Sequence, residues 1–556
     1  MLHAFLKKGS FQDSVSLMLI SRDLSKADDV NRVSIMMGTP ANKDVFRETG
    51  MWHDILKDAG PNDICVVIDS DSSDDRIVGI ITTRLEEAFT KLAQGRKGTS
   101  LPIVHSFERA RKTLPDANIT LISIPGMYAD QPALQALENN QHVMLFSDNV
   151  SVENEVKLKT IGRKKGLLVM GPDCGTSIIN GAPLAFANRM PKGHIGIIGA
   201  SGTGIQELCS QIALHDAGIT HAIGLGGRDL SEKVGGLSAL TALEMLDRDP
   251  ETRVIAFVSK PPAESVRDGI AHKMASLSKP VVALFLGSNP KVRQKGNVYF
   301  AYTLDEAAKL ALDLSRIEEQ GTGLPDVSRK KALGLFTGGT LAAETAMLLA
   351  ASMGLSPDQE HQAGYMLKTP EMAIVDLGDD LYTRGRPHPM IDPSVRTERI
   401  DTLEDDVGVL LMDVVLGFGS NADPAGAVAD SVKSLKNRRG SKNPIVVIAT
   451  VTGTNDDPQN REEQVAKLQD AGILVLENPR QAVMLTLRLM NARARETHPI
   501  KQPTSSVLTD EPQVINIGLR EFAEDLQTNQ VRCVFYQWAP SCGGDERLQK
   551  LLKLMQ

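Results

Sequence analysis

Three glycine-bearing turns hold the residues best suited to chemistry: Gly199-Ala200-Ser201-Gly202-Thr203-Gly204, Thr337-Gly338-Gly339-Thr340 and Gly417-Phe418-Gly419-Ser420-Asn421-Ala422-Asp423-Pro424. Each lies between a β-branched apolar run and an amphipathic stretch, so each reads as a strand-to-helix turn. Such a turn aims free backbone N–H groups and the positive end of a helix dipole at one point, which suits phosphate or another anion. In a plain βα connection the same glycines supply tight geometry and nothing more. None of the three has the lysine of a P-loop, and GASGTG departs from the dinucleotide fingerprint.

Other side chains could complete such a site. In the loop TRGRPHPMIDP (Thr383 to Pro393), prolines hold Arg384, Arg386 and His388 where they could face a carboxylate, which an arginine fork binds in two places; a solvated loop is the plainer alternative. Arg228 and Asp229 follow a strand end after Gly226-Gly227, where open α/β sheets bind ligands, or form an ordinary surface pair. Lys260 follows another strand and is placed to meet phosphate as a point charge. Cys174 in GPDCGT would be an activated thiolate if it lay at a helix start, but no base is identifiable and a buried small residue fits better. The histidines, His194 and His221 among them, have neither HxH nor HExxH spacing, so no metal is expected.

These turns must be positioned by strands alternating with helices. Apolar runs at Ile119 to Ile124, His142 to Ser147, Gly166 to Met170, His194 to Ile198, Val254 to Val258 and Val281 to Leu286 alternate with amphipathic stretches, which implies parallel βαβ units. Periodicity lapses at Ser315 to Lys331 and at Asn491 to Gln513, which read as linkers, with a softer boundary at Asn180 to Lys192. A repeat crosses the first linker. Gly193 to Ile219 is similar to Lys331 to Leu355, Ile223 to Leu230 to Val375 to Leu381, TRVIAFVSKPPAESV to VGVLLMDVVLGFGSNADPAGAV, and Lys279 to Gly287 to Asn443 to Gly453. Four segments in one order predict a duplicated flavodoxin-like unit, the two copies packed face to face. The expected organisation is an N-terminal α/β region (1–190) with a Rossmann-like half, two ligase-type domains (191–320 and 331–495) and a small C-terminal segment (510–556).

Composition sets the outer bounds. At 556 residues the chain is about three or four domain lengths. A net charge of −8 gives no basic footprint for nucleic acid. The five cysteines (Cys65, Cys174, Cys209, Cys533, Cys542) are scattered and odd in number, which fits a reducing cytoplasm. No signal-peptide core and no membrane-length apolar run are visible, so a soluble intracellular protein is expected. The tail Val531 to Gln556 gathers a Trp, a Tyr and a Phe, suited to a partner interface or to docking on the chain itself.

The stretch Pro125 to Thr176 (PGMYADQPALQALENNQHVMLFSDNVSVENEVKLKTIGRKKGLLVMGPDCGT), followed by GHIGIIGASGTGIQEL, resembles the α subunit of succinyl-CoA synthetase and its NDP-forming acyl-CoA synthetase relatives. The stretch Val407 to Val432 resembles the C-terminal domain of the β subunit. Along its whole length the chain resembles the FdrA family, through HAFLKKGSFQDSVSLM, GLGGRDLSEKVGGLSALTALEML, YTRGRPHPMIDP and YQWAP followed by GG. The synthetase resemblance implies two opposed phosphate-facing helices, opening at 199–204 and 417–424. The sequence also departs from that pattern. After PVVALFLG it runs GSNPKVRQKGNVYFAYTLDEAA (Gly287 to Ala308) without the histidine of the phosphohistidine loop, and it has no room for a nucleotide-grasping domain. The nearest substitute for a CoA-binding glycine fingerprint, SIMMGTPANKDVF (Ser34 to Phe46), is poor. A scaffold stripped of acid activation suits a substrate that arrives as an acyl phosphate. The FdrA resemblance implies a subunit of oxamate carbamoyltransferase, interconverting oxalurate and phosphate with carbamoyl phosphate and oxamate in allantoin breakdown. It further implies two companion protein subunits in a hetero-oligomer and no cofactor. A CoA ligase and a non-catalytic scaffold subunit are the alternatives.

Overall fold

A computed structural model describes residues 1–71 apart from 11 and 13, 76–94, 101–355 apart from 291 and 329, 364–490 and 507–540. Cys542, most of the second expected linker and the end of the tail lie outside these residues.

The first unit is an antiparallel sheet with helices on it. Its strands β1 (Leu2–Lys7), β2 (Val30–Met37) and β3 (Ile64–Ser70) lie in the order β1-β3-β2. The central strand ICVVIDS is buried on both faces because alternate residues meet different cover. Ile64, Val66 and Ile68 pack under α1 (Ser14–Leu24) and α3 (Arg76–Gln94), whereas Cys65 and Val67 meet Phe46 of α2 (Pro40–Glu48) and Leu56. Thr39 caps α2 by accepting from Asn42 N–H at 3.3 Å, with Pro40 pre-set at the first helical position.

Next come β4 (Ile103–Val104), α4 (Phe107–Thr113), β5 (Ile119–Ile122), α5 (Gly126–Glu138), β6 (His142–Leu145), α6 (Val152–Lys165) and β7 (Val169–Met170). The boundary at 180–192 shifts: β8 (Thr176–Ile179) and β9 (Ala182–Ala185) form a hairpin that extends the following sheet, Ile178 pairing with Ala222.

The repeat is visible in the topology. The front copy runs β10 (Lys192–Gly199), α7 (Gly202–Leu214), β11 (Ile219–Gly224), α8 (Leu237–Arg248), β12 (Val254–Ser259), α9 (Glu264–Ala275), β13 (Val281–Phe285), β14 (Gln294–Lys295), β15 (Val298–Phe300) and α10 (Leu304–Gln320). The rear copy runs β16 (Lys331–Phe336), α11 (Gly339–Ser352), β17 (Tyr365–Lys368), β18 (Met372–Asp376), α12 (Asp380–Thr383), α13 (Ser394–Asp401), β19 (Val407–Val415), α14 (Pro424–Arg439), β20 (Val446–Thr452), α15 (Arg461–Asp470), β21 (Leu474–Leu476) and α16 (Pro479–Met490). Parallel strands lie in the order β11-β10-β12-β13-β15 in one and β18-β16-β19-β20-β21 in the other. Numbered within each copy, both read 2-1-3-4-5, the flavodoxin-like order. The copies share one hydrophobic core through α7, α10, α11 and α16. The first expected linker begins inside α10, and Arg488 of α16 bonds Glu318 and the Gly321 carbonyl, each at 2.9 Å, so this junction is firmly tied.

The C-terminal segment is no separate unit. Strands β22 (Gln513–Ile517) and β23 (Arg532–Tyr536), joined by α17 (Arg520–Thr528), enter the first parallel sheet, whose order is β4-β23-β22-β5-β6-β7. Counting β22 as strand 1, β23 as 2 and β4 to β7 as 3 to 6, the order is 3-2-1-4-5-6, the Rossmann arrangement with its first two strands supplied from the other end of the chain. Trp538 in the tail packs on Tyr128 with ring centroids 5.2 Å apart, so the described aromatics dock on this chain itself. No helix among the described residues is long and apolar enough to cross a membrane.

Candidate functional site

The first of the three glycine turns opens into a pocket. Ser201 caps α7, its hydroxyl accepting from Gly204 N–H at 3.2 Å. The N–H groups of Gly202 and Thr203 belong to the first helical turn and have no intrahelical acceptor. Gly199, Ala200, Ser201, Gly202 and Thr203 line a pocket of about 300 Å3, with Lys260 reaching it from the end of β12 and Gly226-Gly227 from the end of β11. The pocket therefore sits outside the carboxyl ends of β10 and β12, where the strand order reverses. It joins a positive helix end to an exposed ammonium, a combination that holds an anion.

The other two turns are already engaged, and no residue of 417–424 lines this pocket, so the two opposed helix starts expected from the sequence do not meet there. The buried Asp413 carboxylate accepts from Thr337 N–H and Gly338 N–H, each at 2.7 Å, and from Arg396 at 3.2 Å. An anion already occupies the Gly338-Gly339 turn, and Thr340 is exposed beyond it. At the third turn, Gln459 accepts from Gly417 N–H at 3.1 Å and donates to Gly417 O, Ser420 Oγ and Asn421 O. Gly419 takes a φ of 81° beside the exposed Phe418, and the Asn421 amide is spent on Ile391 O. Asp423 then caps α14 from Gly426 N–H. Burial works to raise its pKa, but bonds from Lys467, Gln464 and Gly426 outweigh it and hold the carboxyl below its ordinary value. A carboxylate at that helix start repels a second anion.

The remaining candidates separate. Arg384 and His388 are exposed, and Arg386 pairs with Glu398 at 3.1 Å. His388 accepts from Met390 N–H through Nδ1 at 3.2 Å and approaches Asp376, whose pKa burial raises despite the bond from Gly378 N–H. Arg228 turns away to Val150 O at 2.7 Å and Glu155 at 3.0 Å. Asp229 is fully buried, accepting from Lys159 at 2.8 Å and capping α8 through Ser238 and Ala239 N–H, which is a structural role. Cys174 touches the pocket but is buried beside Ser177, and burial pushes its thiol pKa up, away from a thiolate nucleophile.

Sequence reasoning missed Asp173, which lines the pocket next to Cys174, and the Asp413–Arg396 pair. Asp173 sits at a φ of 56°, in GPDCGT, where the cysteine drew attention from the residue beside it. Asp413 lies within an otherwise apolar strand, VGVLLMDVV, and a lone acid there is a signal of a buried partner.

The fold and site define an acyl-CoA-synthetase-like α/β protein. Three family models match in turn: AllF, heavy metal-associated domain (residues 1–102), CoA binding domain (191–287) and CoA-ligase (335–489). The uncharacterized protein YahF of Escherichia coli (strain K12) is 39% identical over 492 residues, covering 84% of this chain and 95% of that protein. The chain belongs to the FdrA/AllF family. The α subunit of ADP-forming succinate–CoA ligase of Staphylococcus aureus is 25% identical over 211 residues, 37% of this chain and 67% of that one. The dinucleotide-forming acetyl-coenzyme A synthetase 1 of Ca. Korarchaeum cryptofilum has 18% identity and a TM-score of 0.41, covering 69% of this chain and 85% of that one. The metal suggested by the name of the first model does not fit these residues. Cys65 is the sole cysteine of residues 1–102, its thiol pushed by burial up to about 11, and no group of His, Cys, Asp and Glu among the described residues could hold an ion.

Proposed function

We propose that the chain is a subunit of an oxamate carbamoyltransferase, working in the cytoplasm with two companion subunits as a hetero-oligomer in allantoin breakdown. The supporting observation is the pocket at the start of α7, where two orphan N–H groups and Lys260 converge on a volume suited to a phosphoryl group. One helix start does this work rather than a pair. Asp173, on the same wall, offers an acceptor for the amide N–H groups of carbamoyl phosphate.

In the transfer, the amide nitrogen of oxamate attacks the carbamoyl carbon and a C–N bond forms. The C–O bond to phosphate breaks, and the proton released by nitrogen goes to the departing phosphate. Charge grows on the phosphate oxygens as they leave, and fixed donors at α7 stabilise it without reorganising. Gly287 to Ala308 carries no histidine for a phosphoryl relay, which favours a substrate already activated.

The test is phosphorolysis of oxalurate by the purified chain with its companions, followed by 31P NMR without ATP or CoA. Appearance of carbamoyl phosphate is the expected result. A CoA ligase, the second reading favoured by the two matched CoA models, would stay silent until ATP, CoA and a carboxylic acid were supplied.

A further inference from the structure

A second cavity, about 660 Å3, lies outside the carboxyl ends of β22 and β5, at the switch point of the permuted Rossmann sheet. The N-terminal unit roofs it with Met37 and Thr39 to Asn42, and Asp173, Gly175 and Phe186 line both this cavity and the α7 pocket. In a Rossmann fold this is the place for the pyrophosphate of a dinucleotide, and the matched models imply CoA. Three features of this crevice oppose any such ligand.

First, the lining holds two carboxylates, Asp148 and Asp173, and no Lys, Arg or His. Second, the chain packs tightly just ahead of α17: Leu519 N–H donates to Ser123 Oγ at 2.8 Å, and a Cβ on Gly518 (φ 117°) would stand 2.6 Å from that oxygen. Third, the start of α5 is covered, since a Cβ on Gly126 would lie 1.9 Å from Asp148 O. Close packing narrows the approach to both helix ends, and Asp148, with no cation among the lining residues to offset it, repels a phosphate.

The walls fit a different chemistry. Phe186 is 51% exposed yet held in place by edge-on contacts with Phe146 and Phe522, at centroid distances of 5.3 and 5.7 Å. Met127, on the same cavity, is 59% exposed. A rigid aromatic and a thioether left open inside a cavity offer stacking surface to a flat ring. Asp148, Asp173 and Asn149 offer acceptors around it. We infer that this crevice binds a planar, uncharged heterocycle carrying N–H or O–H donors, of the nucleobase, nucleoside or cyclic-ureide kind, and rejects CoA. The inference goes beyond the transferase proposal and does not rest on it.

Calorimetry on the full chain at fixed salt, with adenosine, hydantoin, ADP and CoA as separate probes, tests this. Saturable binding of adenosine or hydantoin is expected, undisturbed by inorganic phosphate, with ADP and CoA binding at least tenfold more weakly. Phe186→Ala should weaken the heterocycle about tenfold. Asp148→Lys should weaken it too while improving ADP, a reversal that misfolding would not produce. Both positions are exposed, so the fold should persist by circular dichroism. Tighter binding of CoA or ADP by the wild type, no saturation by either heterocycle, or affinity unchanged in both variants would each overturn the inference.

Discussion

In the proposed site Gly202 and Thr203 offer backbone donors, Lys260 a charge and Ser201 the cap that fixes the turn, so their substitutions should separate binding from folding. A Cβ on Gly202 would stand 3.1 Å from Thr176 Oγ1, so in Gly202→Val the branched side chain must crowd the mouth of the pocket. Phosphate affinity should fall at least tenfold by calorimetry in this variant while far-UV circular dichroism holds. Ser201→Pro removes the cap and also forces a φ of −148° toward about −65°, so it should cost more than the ~1 kcal/mol of the cap alone. Asp413 is a residue of another kind: it is fully buried and bonds a helix start and the buried Arg396. Asp413→Ala strands that guanidinium and should destabilise the rear copy by about 3–5 kcal/mol in urea unfolding. A loss below 1 kcal/mol would mean the pair is dispensable. This distinction was hidden in the sequence. All three glycine turns were legible as strand-to-helix turns, but which donors stay free is decided by Asp413, 76 residues from Thr337, and by Gln459, 42 residues from Gly417.

Strand and helix elements followed from local pattern wherever partners were close in sequence. The duplicated units were legible because each strand is a short β-branched run and its neighbours in the sheet come from the same copy. The Rossmann sheet was half legible, since Ile119 to Ile124 and His142 to Ser147 read as strands but the partner of the first, residues 514–517, lies almost 400 residues later, and no local periodicity encodes that pairing. His142 on β6 ties this sheet together, its Nδ1 accepting from Leu168 N–H at 2.8 Å. Burial lowers its pKa from 6.5 to about 3. Between those values the unfolded chain binds the extra proton, so stability is lost as the pH falls. At pH 4.5 the loss from this one group is on the order of 2 kcal/mol. Urea midpoints at pH 7 and 4.5 check it, and His142→Gln should flatten the difference. An equal acid loss in that variant would assign it to other groups.

On the scale of the whole molecule, strands from residues 513–536 complete a sheet that starts at residue 103. Because β22 and β23 lie inside the sheet, ending the chain at residue 506 should expose the β4 and β5 edges and unfold the region around residues 101–170. Loss of soluble protein or strong dye binding to exposed apolar surface is expected, and a cooperative native-like melt would contradict it. The buried Lys159, bonded to Glu155 at 2.9 Å and Asp229 at 2.8 Å, joins this sheet to the front copy that carries the α7 pocket. The α7 pocket and the crevice of the permuted sheet share Asp173, Gly175 and Phe186 on their walls.

The most direct test of the α7 pocket as the seat of transfer is the initial rate of oxalurate formation from carbamoyl phosphate and oxamate, without ATP or CoA. It should be measured for the chain with its companions, as wild type and as Lys260→Ala. Turnover is predicted for the wild type, with the KM for carbamoyl phosphate raised about tenfold in the variant, the weight of one charge-assisted contact, and the KM for oxamate nearly unchanged. No turnover until ATP and CoA are added, or identical kinetics in the two proteins, would contradict it.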